Sequence, residues 1–222
     1  MARCMATPKP LIYIFCEGSS EVVYAEYLKM HFLKVAVIEK PILGLFTVAE
    51  AKFEKEIRYR NAIDVTDEIW FFFDVEREKA IEWNKIQAVI KTLRNLRRKN
   101  KITIRLLMTT ACIEYWLLLH FCTTDASIPD KAAKGRILET LRQKYEPAYE
   151  KGDKASTHRI AEKYKTAIVN GSWTLQQLES LGLPLCETED VRNAWLYDCT
   201  YSFTTVHEAI EFLENLKQQN NY

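Results

Sequence analysis

Pro10-Leu11-Ile12-Tyr13-Ile14-Phe15-Cys16-Glu17-Gly18-Ser19-Ser20-Glu21 is an apolar run that stops abruptly in two carboxylates set around a glycine and two hydroxyls. Leu11 to Phe15 carries no charge and is bounded by Pro10 and Gly18, the pattern of a strand covered on both faces. The period then changes. Val22, Val23, Tyr24, Tyr27, Leu28, Phe32 and Leu33 recur at helical spacing over Glu21 to Lys34, with Ser19 or Ser20 as N-cap and Glu21 in the first turn. The unit is strand, tight turn, helix. In open α/β sheets the working site lies past the carboxyl ends of the strands, where Glu17 and Glu21 fall. A glycine at position 18 would let a polyanion or a metal approach the backbone closely.

The same grammar recurs along the chain. Glu68-Ile69-Trp70-Phe71-Phe72-Phe73-Asp74-Val75-Glu76 is a second apolar strand ending in acids, and Ile102 to Met108 a third, leading through Thr109-Thr110-Ala111 into a helix over Cys112 to Cys122 that carries Glu114. Between them, Lys34 to Glu39 alternates like a strand, Leu43-Gly44-Leu45 reads as a turn, and Phe46 to Asp64 is helical with Phe53, Ile57 and Ile63 inward. Arg77 to Asn100 is amphipathic, with Ile81, Trp83, Ile86, Val89, Ile90, Leu93 and Leu96 as its core stripe. Its basic end, Arg94 to Lys101, suits a helix C-terminus matched to its dipole, with contact to nucleic acid as the alternative.

Past Thr123 the composition shifts. Asp125, Ser127, Pro129 and Asp130 mark a loop, and Lys131 to Tyr145 and Ser156 to Asn170 are basic helical stretches separated by Pro147 and Gly152. Gly171, Gly182 and Pro184 read as breaks. A final helix spans Thr205 to Gln218, with Thr204 or Thr205 and Glu208 as its capping box. The expectation is an α/β fold, a mostly parallel sheet flanked by helices, in one domain over 1–222: a core of about 8–122 and 185–218 with a helical insertion of about 125–180.

Composition bounds the possibilities. With 222 residues, 48% of them hydrophobic, the chain can bury one sizeable core. A formal charge of +1 gives no global attraction to nucleic acid, so any such contact needs local basic patches or metal ions. Cys4, Cys16, Cys112, Cys122, Cys186 and Cys199 form no CxxC pair and sit mostly in apolar segments, as reduced buried thiols do. No apolar run approaches the ~18 residues of a membrane span, and no signal peptide is evident, so a cytoplasmic protein without a membrane partner is expected.

Parallel strands would bring Glu17 with Glu21, Asp74 with Glu76, and Glu114 to one edge of the sheet. Clustered carboxylates repel unless a cation compensates, and their hard oxygens favour Mg²⁺ or Mn²⁺. One or two such ions can bind a phosphodiester, activate water and stabilise the leaving oxygen. The competing reading makes each acid a cap or a solvated loop charge.

Phe15 to Tyr24, then Phe71 to Glu76, then Ala111-Cys112-Ile113-Glu114-Tyr115-Trp116-Leu117-Leu118-Leu119-His120-Phe121, in that order, resemble the motifs of the RloB-like family, and Ser202 to Glu208 resembles its closing Asn-Pro-Ser-Thr segment. The resemblance implies a Toprim-like fold, a nuclease acting on DNA or tRNA in restriction-linked or abortive-infection defence against phage, and a partner ATPase. It makes Glu17 the Toprim glutamate, a metal ligand or general acid/base, Glu21 the second acid of the OLD-type version, and Asp74 with Glu76 the Asp-x-Asp metal pair. Three departures stand out: Glu76 for the second Asp, Thr109-Thr110-Ala111 for Ser-Asn-Pro, and Ser202-Phe203 for Asn-Pro.

Lys151, in Tyr149-Glu150-Lys151, resembles a family Tyr-x-Lys and could steady a phosphate, or be a solvated lysine. His120 reads as packing, and His158, Arg159, Lys163 and Lys165 as a solvated face or a nucleic-acid channel. The leading expectation is therefore a Mg²⁺- or Mn²⁺-dependent nuclease with Glu17, Asp74 and Lys151 in catalysis and Glu17, Glu21, Asp74, Glu76 and Glu114 on metal. The alternatives are a latent regulatory partner of an ATPase, and a phosphatase or nucleotidyl transferase on the same scaffold. A homo-oligomer is compatible with all three.

Overall fold

A computed structural model of the chain describes residues 9–75, 82–97, 99–124, 131–184 and 189–219. Cys4, Ile81, Arg98, Cys186, the loop at 125–130 and the predicted metal ligand Glu76 lie outside these residues. Strand β1 is Leu11–Cys16, followed by helix α1 at Ser19–His31, and β4 (Thr66–Val75) and β5 (Thr103–Thr110) are the other long strands. Two short pieces, β2 (Val37–Ile38) and β3 (Ile42–Leu43), both pair with the far side of β1. The sheet order is β2-β1-β4-β5 and all its named pairs are parallel. The expected α/β architecture is what forms.

The unbroken apolar character of β1 and β4 has a direct cause. Ile12, Ile14, Cys16, Trp70, Phe72 and Leu107 point to one face and Tyr13, Phe15, Ile69, Phe71, Phe73, Leu106 and Met108 to the other, each face covered by its own buried cluster. On the first face lie α1, α5 (Ile113–Leu118), α6 (Lys131–Lys144), α7 (Lys154–Ala161) and α10 (Val206–Gln219). On the second lie α2 (Phe46–Lys55), α3 (Ile57–Ala62), α4 (Trp83–Arg94) and α9 (Glu189–Asp198), while α8 (Tyr164–Glu179) contributes to both. No helix among the described residues is long and apolar enough to cross a membrane.

Several local expectations need correction. Leu43 is a strand residue, because β3 continues the parallel pairing to Cys16. The segment from Phe46 breaks into α2 and α3 at Glu56, whose extended backbone turns Ile57 outward to 72% exposure while Phe53 stays buried. Helix α8 continues through Gly171, held by its packing on α10. The predicted capping box does not form: Val206 N–H donates to Thr204 Oγ1, but the Glu208 carboxylate is taken by Arg192.

The Phe203-Thr204-Thr205 segment closes the outer edge of β5. Thr110 N–H donates to Phe203 O, Thr205 N–H to Met108 O, and Thr205 Oγ1 both accepts from Met108 N–H (2.8 Å) and donates to Leu106 O (2.7 Å). A threonine hydroxyl thus stands in for a strand neighbour. This satisfies backbone groups that an edge strand would otherwise leave open.

Candidate carboxylate site

The parallel register decides what meets at the sheet edge. Cys16 pairs with Phe72 and Asp74 with Thr109, so β1, β4 and β5 all end at the same side. Glu17 N–H extends the ladder to Phe72 O, and the Glu17 carboxylate accepts the Asp74 backbone N–H through Oε2 at 2.8 Å. Two of the predicted acids are therefore locked together.

Glu21 follows on the first turn of α1 and is buried. The helix is capped by Gly18 rather than by Ser19 or Ser20, with no side-chain cap, because Ser20 Oγ accepts instead from Gly152 N–H at 3.0 Å. Beside the expected close approach of a polyanion or metal, a Cβ at position 18 would lie 2.8 Å from Glu21 Oε2, the end of a side chain that would have to shift. Gly18 makes room for a carboxylate of its own chain. Burial, then the charges of Glu17 and Glu114, raise the Glu21 pKa from 4.5 to about 7, although backbone N–H groups of Glu21 and Gly18 pull the other way.

Asp74 is the most frustrated member. Its Oδ1 is a buried atom with no hydrogen-bond partner, and burial followed by the charges of Glu21, Glu17 and Glu114 pushes its carboxyl well above the ordinary range, with Lys134 of α6 opposing. A buried carboxylate oxygen left unpaired is costly unless a cation or proton meets it.

Glu114 enters from β5 through a sharp turn. Ala111 takes φ +68°, a left-handed conformation unusual for a residue with a Cβ, and its N–H holds Val75 O. The chain then enters α5 through its N-cap Cys112, placing Glu114 in the interior at 1% exposure. Its Oε1 accepts from Tyr149 Oη (3.1 Å) and pairs with Lys151 Nζ (3.2 Å). The 149–152 loop bringing these groups is pressed onto α1, where Gly152 takes φ +75° and a Cβ would lie 2.8 Å from Ser19 Oγ. Cys112, among these acids, has its thiol pushed up to about 12 by burial, Glu114 and Asp74, so it is held as a neutral thiol.

The structure thus brings Glu17, Glu21, Asp74 and Glu114 into one electrostatic neighbourhood with Lys151 at its rim. Two contributors escaped the sequence reading: Ser20, seen only as a cap, and Lys134, seen only as part of a basic helix. Tyr149 was visible beside Lys151, but its phenol showed no sign of reaching Glu114. Long-range partnership of this kind leaves no periodic signal.

The remaining candidates lie elsewhere. His120 is buried with Nε2 at 3.0 Å from Tyr24 Oη and Nδ1 at 3.0 Å from Trp116 O, and burial lowers its pKa to about 3, as befits a neutral packing residue. Arg159 is paired with Glu146, Lys163 lies 4.3 Å over the Phe121 ring, and His158 packs against Tyr27. These contacts tie three of the four channel candidates to local partners.

As to metal, the donor set is all oxygen, and the orphaned Asp74 Oδ1 among mutually repelling acids fits a hard divalent cation. Among the described residues, however, no group of three His, Cys, Asp or Glu is gathered closely enough to hold an ion. The residues fit in chemistry and neighbourhood, with side-chain adjustment needed to chelate.

The Glu21 environment predicts a pH dependence. A carboxyl whose folded pKa exceeds its unfolded value binds more protons in the native state, so Glu21's contribution to metal-free stability is greatest below about pH 4.5 and is lost as pH rises through about 7. A displacement of that size corresponds to about 3 kcal/mol. Glu21→Gln is expected to flatten that decline, measured by denaturant unfolding in EDTA between pH 5 and pH 8; an unchanged slope would show that Glu21 is not the group responsible.

The fold and site define an α/β protein with carboxylates gathered at the ends of parallel strands. A family model described as RloB-like protein matches residues 12–213, and the chain belongs to the RloB-like family. Neither the search of curated proteins nor that of solved structures returned a match.

Proposed function

We propose that the chain is a divalent-metal-dependent nuclease that hydrolyses phosphodiesters of DNA or tRNA, with a Toprim-like arrangement of its acids. The observation carrying this reading is the buried, unpartnered Oδ1 of Asp74 amid Glu17, Glu21 and Glu114, an arrangement that costs stability and is understandable if it serves a bound cation. Glu17, Glu21, Asp74, Glu114 and Glu76 would hold Mg²⁺ or Mn²⁺, which when bound supplies Lewis-acid activation of the phosphodiester and of water.

The chain's own groups divide the remaining work. Glu17 is exposed at the strand end, fixed through Oε2 to the Asp74 N–H, and is placed to take a proton from an attacking water. Lys151, more than half exposed while touching the enclosed Glu114, can direct its ammonium at the charge that develops on phosphate. Tyr149 keeps the Glu114 carboxylate oriented.

Family membership supports a role as effector in phage defence beside an ATPase, as the sequence resemblance implies. The purified chain, alone and with a candidate partner ATPase, is expected to cut labelled DNA or tRNA in Mg²⁺ or Mn²⁺ and not in EDTA. Intact substrates in every metal-containing sample would overturn the reading and favour a non-catalytic partner.

A further inference from the structure

We propose that the outer face of α4 is a nucleic-acid backbone track, a binding site for phosphates separate from the carboxylates. Asn84, Gln87 and Lys91 recur at helical spacing on that helix, with Asn95 at its C-cap; all four are exposed and line, together with Lys101, a cleft of about 510 Å³. The cleft therefore draws its cations from two segments, the helix and the approach to β5.

Its acid is already neutralised. Asp190 lies in the wall, but Arg94 holds it through two hydrogen bonds of 3.0 and 2.9 Å, so the pair forms a rigid side of near-zero charge. Lys91 and Lys101 then give the cleft a net positive lining, with amide donors at Asn84 and Gln87. Donors and cations without an uncompensated carboxylate suit phosphate oxygens.

The track also has the right origin. Helix α4 begins at the carboxylate end of the sheet, where the Trp83 ring packs 5.2 Å from that of Tyr197, whose hydroxyl is held protonated by burial and by the charges of Asp198 and Glu17. From Asn84 to Asn95 the helix runs about 16 Å away from that end, the axial rise of roughly five nucleotides of one strand. A strand lying across the acids can continue along this face. The inference rests on the nuclease reading only in naming nucleic acid as the occupant.

The test measures binding without cleavage. A fluorescein-labelled single strand and its duplex are titrated in EDTA at about 50 to 200 mM salt with the wild type and the double variant Lys91→Glu/Lys101→Glu. The double variant should bind at least about tenfold more weakly than the wild type, with the slope of log K against log salt shallower by about 1.4 to 1.8. Both substituted side chains are exposed, and circular dichroism checks that the fold is kept. Equal affinity and slope for the double variant, or no binding by the wild type at low salt, would overturn the track. Binding that behaves as expected in a wild type unable to cleave in Mg²⁺ or Mn²⁺ would leave the track standing and remove the nuclease reading instead.

Discussion

Asp74→Asn is expected to lower metal-dependent cleavage by at least about 100-fold while raising the melting temperature of the metal-free protein. The two effects have one origin. Asp74 is pushed above the ordinary carboxylate range by burial and by three neighbouring acids, so its ionised form is disfavoured in the native state. As pH rises past the unfolded value, the unfolded chain ionises first and metal-free stability falls. Asparagine removes the charge and keeps the shape. It also removes the anionic oxygen that would meet a cation, so activity and stability must move in opposite directions. Calorimetry in EDTA at pH 8 beside a cleavage assay in Mg²⁺ reads both; a variant that is less stable and still cuts would make Asp74 a structural residue.

The second large effect is on folding. Thr205→Val deletes a hydroxyl at 1% exposure while keeping side-chain shape, and leaves Met108 N–H and Leu106 C=O without their partner. Two unpaired buried backbone groups cost about 3 kcal/mol together, or roughly 6–12 °C in melting temperature for a chain of this size. Thr205→Ser, which retains the oxygen, should recover most of the loss. A valine variant melting within about 2 °C of wild type would show that the closing segment does not depend on this hydroxyl.

The long strands and the parallel sheet were legible because burial on both faces writes itself into the sequence as uninterrupted apolar runs, as in Ile69 to Phe73. Glu17, Asp74 and Glu114 stood out because each follows such a run and parallel strands end together. The short strands β2 and β3 were harder, since two residues carry almost no period, and Leu43 beside Gly44 looks like a turn. Helix α8 runs through Gly171 because tertiary packing on α10 outweighs the local preference. Nothing in spacing could reveal that Gly18 shelters the Glu21 carboxylate or that the 149–152 loop folds back on α1. Those contacts join residues far apart in the chain, and each reuses a residue type whose local meaning, cap or turn, is different.

Metal-dependent phosphodiester hydrolysis by the carboxylates at the strand ends is the activity proposed for this chain. Wild type and Glu17→Ala, each alone and with a candidate partner ATPase, are incubated with labelled DNA and tRNA in Mg²⁺, Mn²⁺ or EDTA and the products resolved. Fragments are expected only from the wild type and only with metal, while the Glu17→Ala protein remains folded and leaves the substrates intact. Equal cleavage by the two proteins, or cleavage by the wild type that persists in EDTA, would contradict it.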